Sequence, residues 1–345
     1  MYLLTCFLLA MLLLPLTARL GYHAGLVDHP DGRKQHNGAI PLTGGLAIFL
    51  AFLLASQVAD VTLYSTGMLV VTCAVFALGV FDDYRHIRPG LRLVIHFLAG
   101  ALIASWGGIA IHNVGNLLAI GDIPLLLLTV PLTALSFAGL ANACNMIDGI
   151  DGLAASLVGL PLLVLCGLAL GAGHPMAPTL GMIAAPIAAF LLFNLGPNSR
   201  LLPRVFLGDG GSVTLGFLLT ASLVYFSQGD NALIRPVTAL WLVTVPLMDM
   251  LATMLRRLRR GASLVQADRL HLHHTLLDFG LGPRQTLLVM IVWAGLCAAC
   301  GLALEAIPEY LSLALYFAVF TVHCLFVLRA GNLQQRLELS RRAPS

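Results

Sequence analysis

Apolar runs close to the length needed to cross a bilayer recur from one end of this chain to the other, and nothing else in the sequence restricts its fold so severely. Eleven can be delimited, at about residues 2–20, 43–58, 62–80, 91–106, 123–141, 153–171, 176–194, 211–227, 234–254, 285–304 and 309–328. A helix of about 20 apolar residues spans the hydrocarbon layer; the second and fourth runs are short of that. The runs are continuous rather than ten-residue alternations, which excludes spanning strands. The fold class is therefore all-α, a polytopic integral membrane protein of about eleven transmembrane helices. Composition agrees: 10% of residues are charged and 59% apolar, against roughly 25% charged in soluble domains. No internal repeat, linker or soluble domain interrupts the pattern. Residues 1–345 read as one transmembrane domain, ending in a basic tail over 329–345.

Lysine and arginine set the expected orientation. With the N-terminus outside and eleven spans, eighteen of the nineteen basic residues fall on cytoplasmic segments and only Arg235 lies outside. The positive-inside rule favours that arrangement strongly and places the C-terminus in the cytoplasm. A net charge of +3 without a soluble basic domain gives no reason to expect nucleic acid. Met1–Leu20 lacks a basic leader and has a poor cleavage site, so it reads as a retained first span. The seven cysteines lie almost entirely within spans, with no metal spacing and no disulfide framework, and are assigned to packing.

The polar residues gather on a few cytoplasmic stretches. Asn142–Gly152 carries two amides, two carboxylates and two glycines between long apolar runs, and no Lys or Arg at all. On a helix Asp148 would share a face with both Asn145 and Asp151, offering oxygen ligands to a hard cation; otherwise Asp151 caps the following helix. The third run ends in Asp82-Asp83, with Arg85, Arg88 and Arg92 close behind. Adjacent carboxylates repel each other and need a cation, either a metal or one of these arginines. Gly44-Gly45 opens a span either to let amides approach an anion or to let two helices touch. Asp209 lies among glycines in Phe206–Ser212 at the start of another span, as a phosphate or metal site or as a helix cap. Asp249 sits inside the ninth run, near enough to Arg256 and Arg257 to pair with them, and stays outside the core set. The longest loop carries Arg269 and then His271, His273 and His274. On a helix His271 and His274 would share a face and His273 would point elsewhere, which suits a diphosphate better than zinc.

Oxygen ligands dominate these stretches, and they suit Mg²⁺, or Mn²⁺, bridging substrate phosphates. Glycine backbones and arginines suit the phosphates themselves. The reaction class that follows is phosphoryl transfer at the membrane surface, between a soluble donor and a lipid acceptor held among the spans. The rival is a cation-coupled transporter, for which Asp249 is the one strong intramembrane acid.

Asp82-Asp83, Asn145–Gly152, Phe206–Ser212 and Asp268–His274 resemble, in order, the motifs of the polyprenyl-phosphate N-acetylhexosamine-1-phosphate transferases. The likeness covers about residues 20–304 and is closest to the bacterial branch that joins GlcNAc-1-phosphate to undecaprenyl phosphate. Arg235–Trp241 and Pro246–Met250 resemble that branch too. His271-Leu272-His273-His274 departs from the three consecutive histidines of the branch that transfers phospho-MurNAc-pentapeptide. Arg85 and Arg88 stand near the place where the family often has a lysine.

The resemblance implies that Asp209 holds Mg²⁺ with help from Asn145, and that Phe206 stacks on the uracil. It further implies that Asp148, Asp151 and Asn194 line the nucleotide-sugar site, and that Arg269 with His271, His273 and His274 binds diphosphate and sugar. Asp82 and Asp83 would face the lipid phosphate, near Arg92 and Lys34. Asp82, Asp83, Asp148 and Asp151 form the implied catalytic set, and Ser212 joins the substrate-binding set. The implied partners are a UDP-N-acetylhexosamine, undecaprenyl phosphate and the bilayer, in a bacterial cytoplasmic (inner) membrane with the active site facing the cytoplasm. UDP-FucNAc and UDP-GalNAc remain alternative donors, and a homodimer is open.

Overall fold

A computed structural model describes residues 1–29, 38–59, 64–259, 261, 263 and 271–342 of the chain. Lys34 and Arg269 lie outside the described residues. Among the described residues, thirteen α-helices run in order: α1 (Tyr2–Ala24), α2 (Gly44–Val58), α3 (Thr66–Arg85), α4 (Pro89–Leu102), α5 (Thr129–Ile147), α6 (Leu153–Gly171), α7 (Ala177–Asn194), α8 (Gly208–Tyr225), α9 (Pro236–Leu242), α10 (Thr244–Arg259), α11 (Leu272–Asp278), α12 (Pro283–Ala303) and α13 (Glu309–Arg342). Two residues of β1 (Val27–Asp28) pair antiparallel with two of β2 (Ile40–Pro41) beside the first helix. The all-helical expectation agrees with this architecture.

Among the described residues, eight helices are long and apolar enough to cross a membrane, or nine if the bent pair α9 and α10 counts as one span. The remaining two of the eleven apolar runs also form helices, α2 and α8. α2 is a shorter apolar helix. α8 is rich in Gly, Ser and Thr, and protein rather than lipid surrounds it: from Gly210 to Val224 every residue is buried. A helix enclosed on all sides by other helices needs small residues more than it needs hydropathy.

Those small residues set how the bundle closes around α8. A Cβ on Gly45 of α2 would lie 2.2 Å from the Gly211 Cα, and one on Gly79 of α3 would lie 2.5 Å from the Gly210 Cα. One on Gly216 would lie 2.6 Å from the Ala141 Cα of α5. Three helices thus meet α8 backbone to backbone. The amides of Gly44 and Gly45 donate to the carbonyls of Phe206 (2.8 Å) and Leu207 (3.0 Å). Of the two readings of Gly44-Gly45, close helix contact is the one these bonds support.

The ninth run, expected as a single span, breaks by 81° between α9 and α10. The Thr244 hydroxyl donates to the Leu240 and Trp241 carbonyls at 3.2 and 2.8 Å, and Pro246, two residues on, has no amide to continue the ladder. The bend swings α10 toward α11. The C-terminal ends of α3, α5 and α7 and the N-terminal ends of α4, α6 and α8 then share one end of the bundle. Every described polar stretch singled out above, from Asp82 to His274, is carried there.

Candidate active site

The site begins where α3 ends. Asp82 caps its own helix: its backbone carbonyl accepts from His86, in a left-handed conformation at the C-cap (φ 54°), and its Oδ1 accepts from the Ile87 amide at 2.6 Å. That turn redirects the chain into α4, where Pro89 occupies the first helical position, as its missing amide allows. Arg92 follows one turn later. Its guanidinium donates to Asp82 Oδ2 at 2.5 Å, to Asp209 Oδ2 at 2.7 Å and to the side-chain Oδ1 of Asn145 at 3.1 Å. One cation therefore joins α3, α4, α5 and α8. Asp82 is only 3% exposed, so this pairing compensates a charge withdrawn from water. Of the three arginines after the acidic pair, Arg92 is the one that bridges the carboxylates; Arg85 lies over the Tyr84 ring, 5.4 Å from its centroid.

Asp83 faces α8 instead. Its two carboxylate oxygens accept the amides of Asp209 at 2.8 Å and Gly210 at 3.1 Å, the free donors of the first turn of α8. The Gly208 residue before them has φ 74° and a Cβ there would lie 2.8 Å from Asp83 Oδ2, so only glycine fits. Asp209 is not a cap. Its Oδ1 accepts from the Asn145 side-chain amide at 2.7 Å, and the same amide donates to Ser212 Oγ at 3.1 Å. Asn145, on the last turn of α5, thus orients Asp209 with its nitrogen and receives Arg92 with its oxygen.

Asp148 follows just past the end of α5 and Asp151 three residues later. Asp148 keeps solvent access on one side while protein surrounds the others. Burial, and then the charges of Asp209, Asp83 and Asp151, push its carboxyl up to about 8. Asp148 thus lies within electrostatic reach of the other carboxylates. Asp151 is half-buried and stands 3.6 Å from Arg204. It does not cap α6: the N-cap is Gly152, at φ 75°.

The histidines close the site from another side. His271 precedes α11 with extended backbone, so the face expected for a continuous helix does not form. The rings of His271 and His273 lie parallel, 5.7 Å apart, and His274 is 4.1 Å from His273. His273 is packed onto the Asn145–Gly152 stretch so closely that a Cβ on Gly149 would lie 2.1 Å from its Nε2. Both His273 ring nitrogens are buried without a partner among the described residues. Burial, then His274, push this imidazole down to about 3.

Asn194 and Phe206, two further expected site residues, flank the segment that leads into α8. The Asn194 side-chain amide donates to the Val205 carbonyl at 2.9 Å, pinning the segment that leads into α8. Phe206 is half-buried, its amide donating to the Pro41 carbonyl at 2.8 Å. Sequence reasoning set Asp249 aside, yet its carboxylate receives the Leu272 amide at 2.7 Å and lies 2.8 Å from His271 Nδ1. Its position inside an apolar run was the available signal; the partner was invisible because twenty-two residues separate the two.

The possible metal ligands on the acidic side are carboxylate and amide oxygens, which suit a hard cation, with the Arg92 guanidinium standing among them. Among the described residues, no three His, Cys, Asp or Glu side chains are grouped as a ready coordination shell. Mg²⁺ commonly takes one or two carboxylates and completes its shell with water and substrate phosphates. Asp148 and Asp209 are two carboxylates within electrostatic reach of each other, a donor set of that kind, so the residues present suit it.

Residues 65–227 match the profile of glycosyl transferase family 4. A Yersinia pestis protein described as undecaprenyl-phosphate alpha-N-acetylglucosaminyl 1-phosphate transferase is 33% identical to this chain, across 97% of the chain and 93% of its own length. Proteins of the same description from Pasteurella multocida and Escherichia coli K12 are 34% and 31% identical, each across 99% of this chain and 96% and 94% of their own. The profile takes in Asp82 through Ser212 and stops short of the histidines; the relatives extend over both.

Proposed function

We infer, from the premise that this chain belongs to glycosyl transferase family 4, that it transfers GlcNAc-1-phosphate from UDP-GlcNAc to undecaprenyl phosphate. A phosphate oxygen of the lipid attacks the β-phosphorus of the donor, the bond from that phosphorus to the bridging oxygen breaks, and UMP leaves with the electron pair. The product is undecaprenyl-diphospho-GlcNAc, a first membrane step toward a cell-surface polysaccharide. The observation that carries the reading is the single guanidinium of Arg92 holding Asp82, Asp209 and Asn145 from three other helices. It gathers acids and phosphate-binding groups at one end of the bundle, where a soluble donor and a lipid headgroup can both arrive.

The residues divide the work. Arg92 offers charge to the acceptor phosphate on the face not taken by Asp82 and Asp209. Asp209 and Asp148 would hold Mg²⁺, with Asn145 fixing Asp209; the ion would neutralise charge on the donor diphosphate. Asp83 holds the N-terminus of α8 so that Asp209 is correctly placed. His271, His273 and His274 approach the Asn145–Gly152 stretch from the α11 side, where the diphosphate and sugar would lie. A general base adds little, because a phosphate monoester with a second pKa of about 6 is already largely ionised near neutrality. The carboxylates then serve positioning and charge management. By the positive-inside rule this end faces the cytoplasm, in a bacterial inner membrane.

Purified protein incubated with UDP-GlcNAc, undecaprenyl phosphate and Mg²⁺ should release UMP only when lipid and metal are both present. Absence of UMP under those conditions overturns the reading. Running UDP-GalNAc and UDP-FucNAc beside UDP-GlcNAc identifies the donor. A burst of UMP without lipid would instead support a covalent aspartyl-phosphate route.

A further inference from the structure

Asp249 is 1% exposed in the first half of α10, an acid inside an apolar stretch. Such a carboxylate persists where its charge and lone pairs are satisfied. Here they are satisfied in one direction. Oδ1 accepts the Leu272 amide at 2.7 Å and Oδ2 meets His271 Nδ1 at 2.8 Å, with the Thr253 hydroxyl 3.5 Å from the same ring nitrogen. The 81° bend between α9 and α10 is what brings this helix under α11. Among the described residues, the other titratable groups within electrostatic reach of the carboxylate include His273 and, on α13, His323.

We propose that Asp249 is a positioning residue for the transfer reaction, fixing the orientation and tautomer of His271. A carboxylate accepts and cannot donate, so Nδ1 of His271 carries a hydrogen toward Asp249 and Nε2 is the nitrogen left for the donor substrate. The second oxygen, on the Leu272 amide, locks the backbone at the start of α11. Ring and helix are thereby held as one unit. The parallel stack of His271 on His273 then transmits the placement to the ring that packs on Gly149. Altering a carboxylate that orients a metal-ligating histidine costs about 10–100-fold in affinity or activity, and a loss of that order is expected for this pair. The proposal rests on the GlcNAc-1-phosphate transfer reading for its activity test, and stands apart from it in its spectroscopic one.

The decisive variant is Asp249→Asn. The isostere keeps Oδ1 for Leu272 and turns an NH₂ toward His271, which forces the hydrogen from Nδ1 to Nε2. In full-length protein, ¹⁵N-histidine NMR, with the His271 signal identified by its loss in His271→Gln, should show Nδ1 protonated in the wild type and unprotonated in Asp249→Asn. UMP release from UDP-GlcNAc should fall about 10–100-fold with an unchanged melting temperature. In the His271→Gln background Asp249→Asn should cost nothing further. Wild-type activity in Asp249→Asn, or an equal loss in both backgrounds, overturns the proposal. Should Asp249→Asn not fold, the wild-type spectrum still decides: hydrogen on Nε2 alone overturns the assignment, whatever substrate the enzyme uses.

Discussion

Replacing Gly149 by alanine probes the contact that joins the acidic stretch to the histidines. The new Cβ would lie 2.1 Å from His273 Nε2, 2.8 Å from Cε1 and 3.0 Å from Cδ2. Ordinary contact begins at 3.4 Å, so the ring must retreat by 3.4 − 2.1 = 1.3 Å. It has little room to do so, being 1% exposed and enclosed by His271 and His274. Gly149 is not in the left-handed region, so the cost is steric rather than torsional. Overpacking of this kind costs about 1–3 kcal/mol, and a displacement of about 1 Å in a positioning group costs on the order of 10²-fold in rate. Thermal melting in detergent and UMP release from UDP-GlcNAc measure the two effects separately. Removing the obstructing ring supplies the control: in a His273→Ala background, Gly149→Ala should destabilise no further, a coupling of about the same size and opposite sign. If Gly149→Ala alone melts and turns over like the wild type, His273 does not pack on this stretch and the geometry argued for the site is wrong.

Two other outcomes follow from the same geometry. Arg92→Lys keeps the charge but cannot reach Asp82, Asp209 and Asn145 together; UMP release should fall by at least about 10-fold, and Arg92→Ala, which strands the buried Asp82, should destabilise by about 3–5 kcal/mol in thermal melts. Full activity in Arg92→Lys would refute the bridging role. His273, held near 3 in the fold against 6.5 as a free imidazole, binds a proton more readily when unfolded. Its contribution is therefore intact above pH 6.5 and lost as the pH falls toward 3, on the order of 2 kcal/mol by pH 5; melts of wild type and His273→Gln across this range should converge at the acid end if that is right.

Much of the chemistry was legible because it depends on residue type. Carboxylates, amides and glycines interrupting apolar runs are costly unless something uses them, so Asp82, Asn145, Asp148 and Asp209 stood out without coordinates. The division of labour among them was not legible. Asp82 and Asp83 are neighbours in the chain, yet one meets Arg92 and the other the amides of α8, because successive residues on a helix point about 100° apart and the neighbouring helices decide what each finds. Asp249 was undervalued for the same reason: its nearest charges in sequence were arginines, while its partner His271 stands twenty-two residues further on and meets it only in the folded chain.

An all-helical chain is written in the residues alone, because continuous apolar runs in a bilayer leave the backbone no other way to satisfy its hydrogen bonds. The residues also place Asp82, Asp148 and Asp209 at the ends of those runs, where the hydrocarbon stops. Which ends meet is a matter of packing. Gly45, Gly79 and Gly216 let three helices close on α8, and that approach is set by shape complementarity between distant segments, which no local pattern encodes.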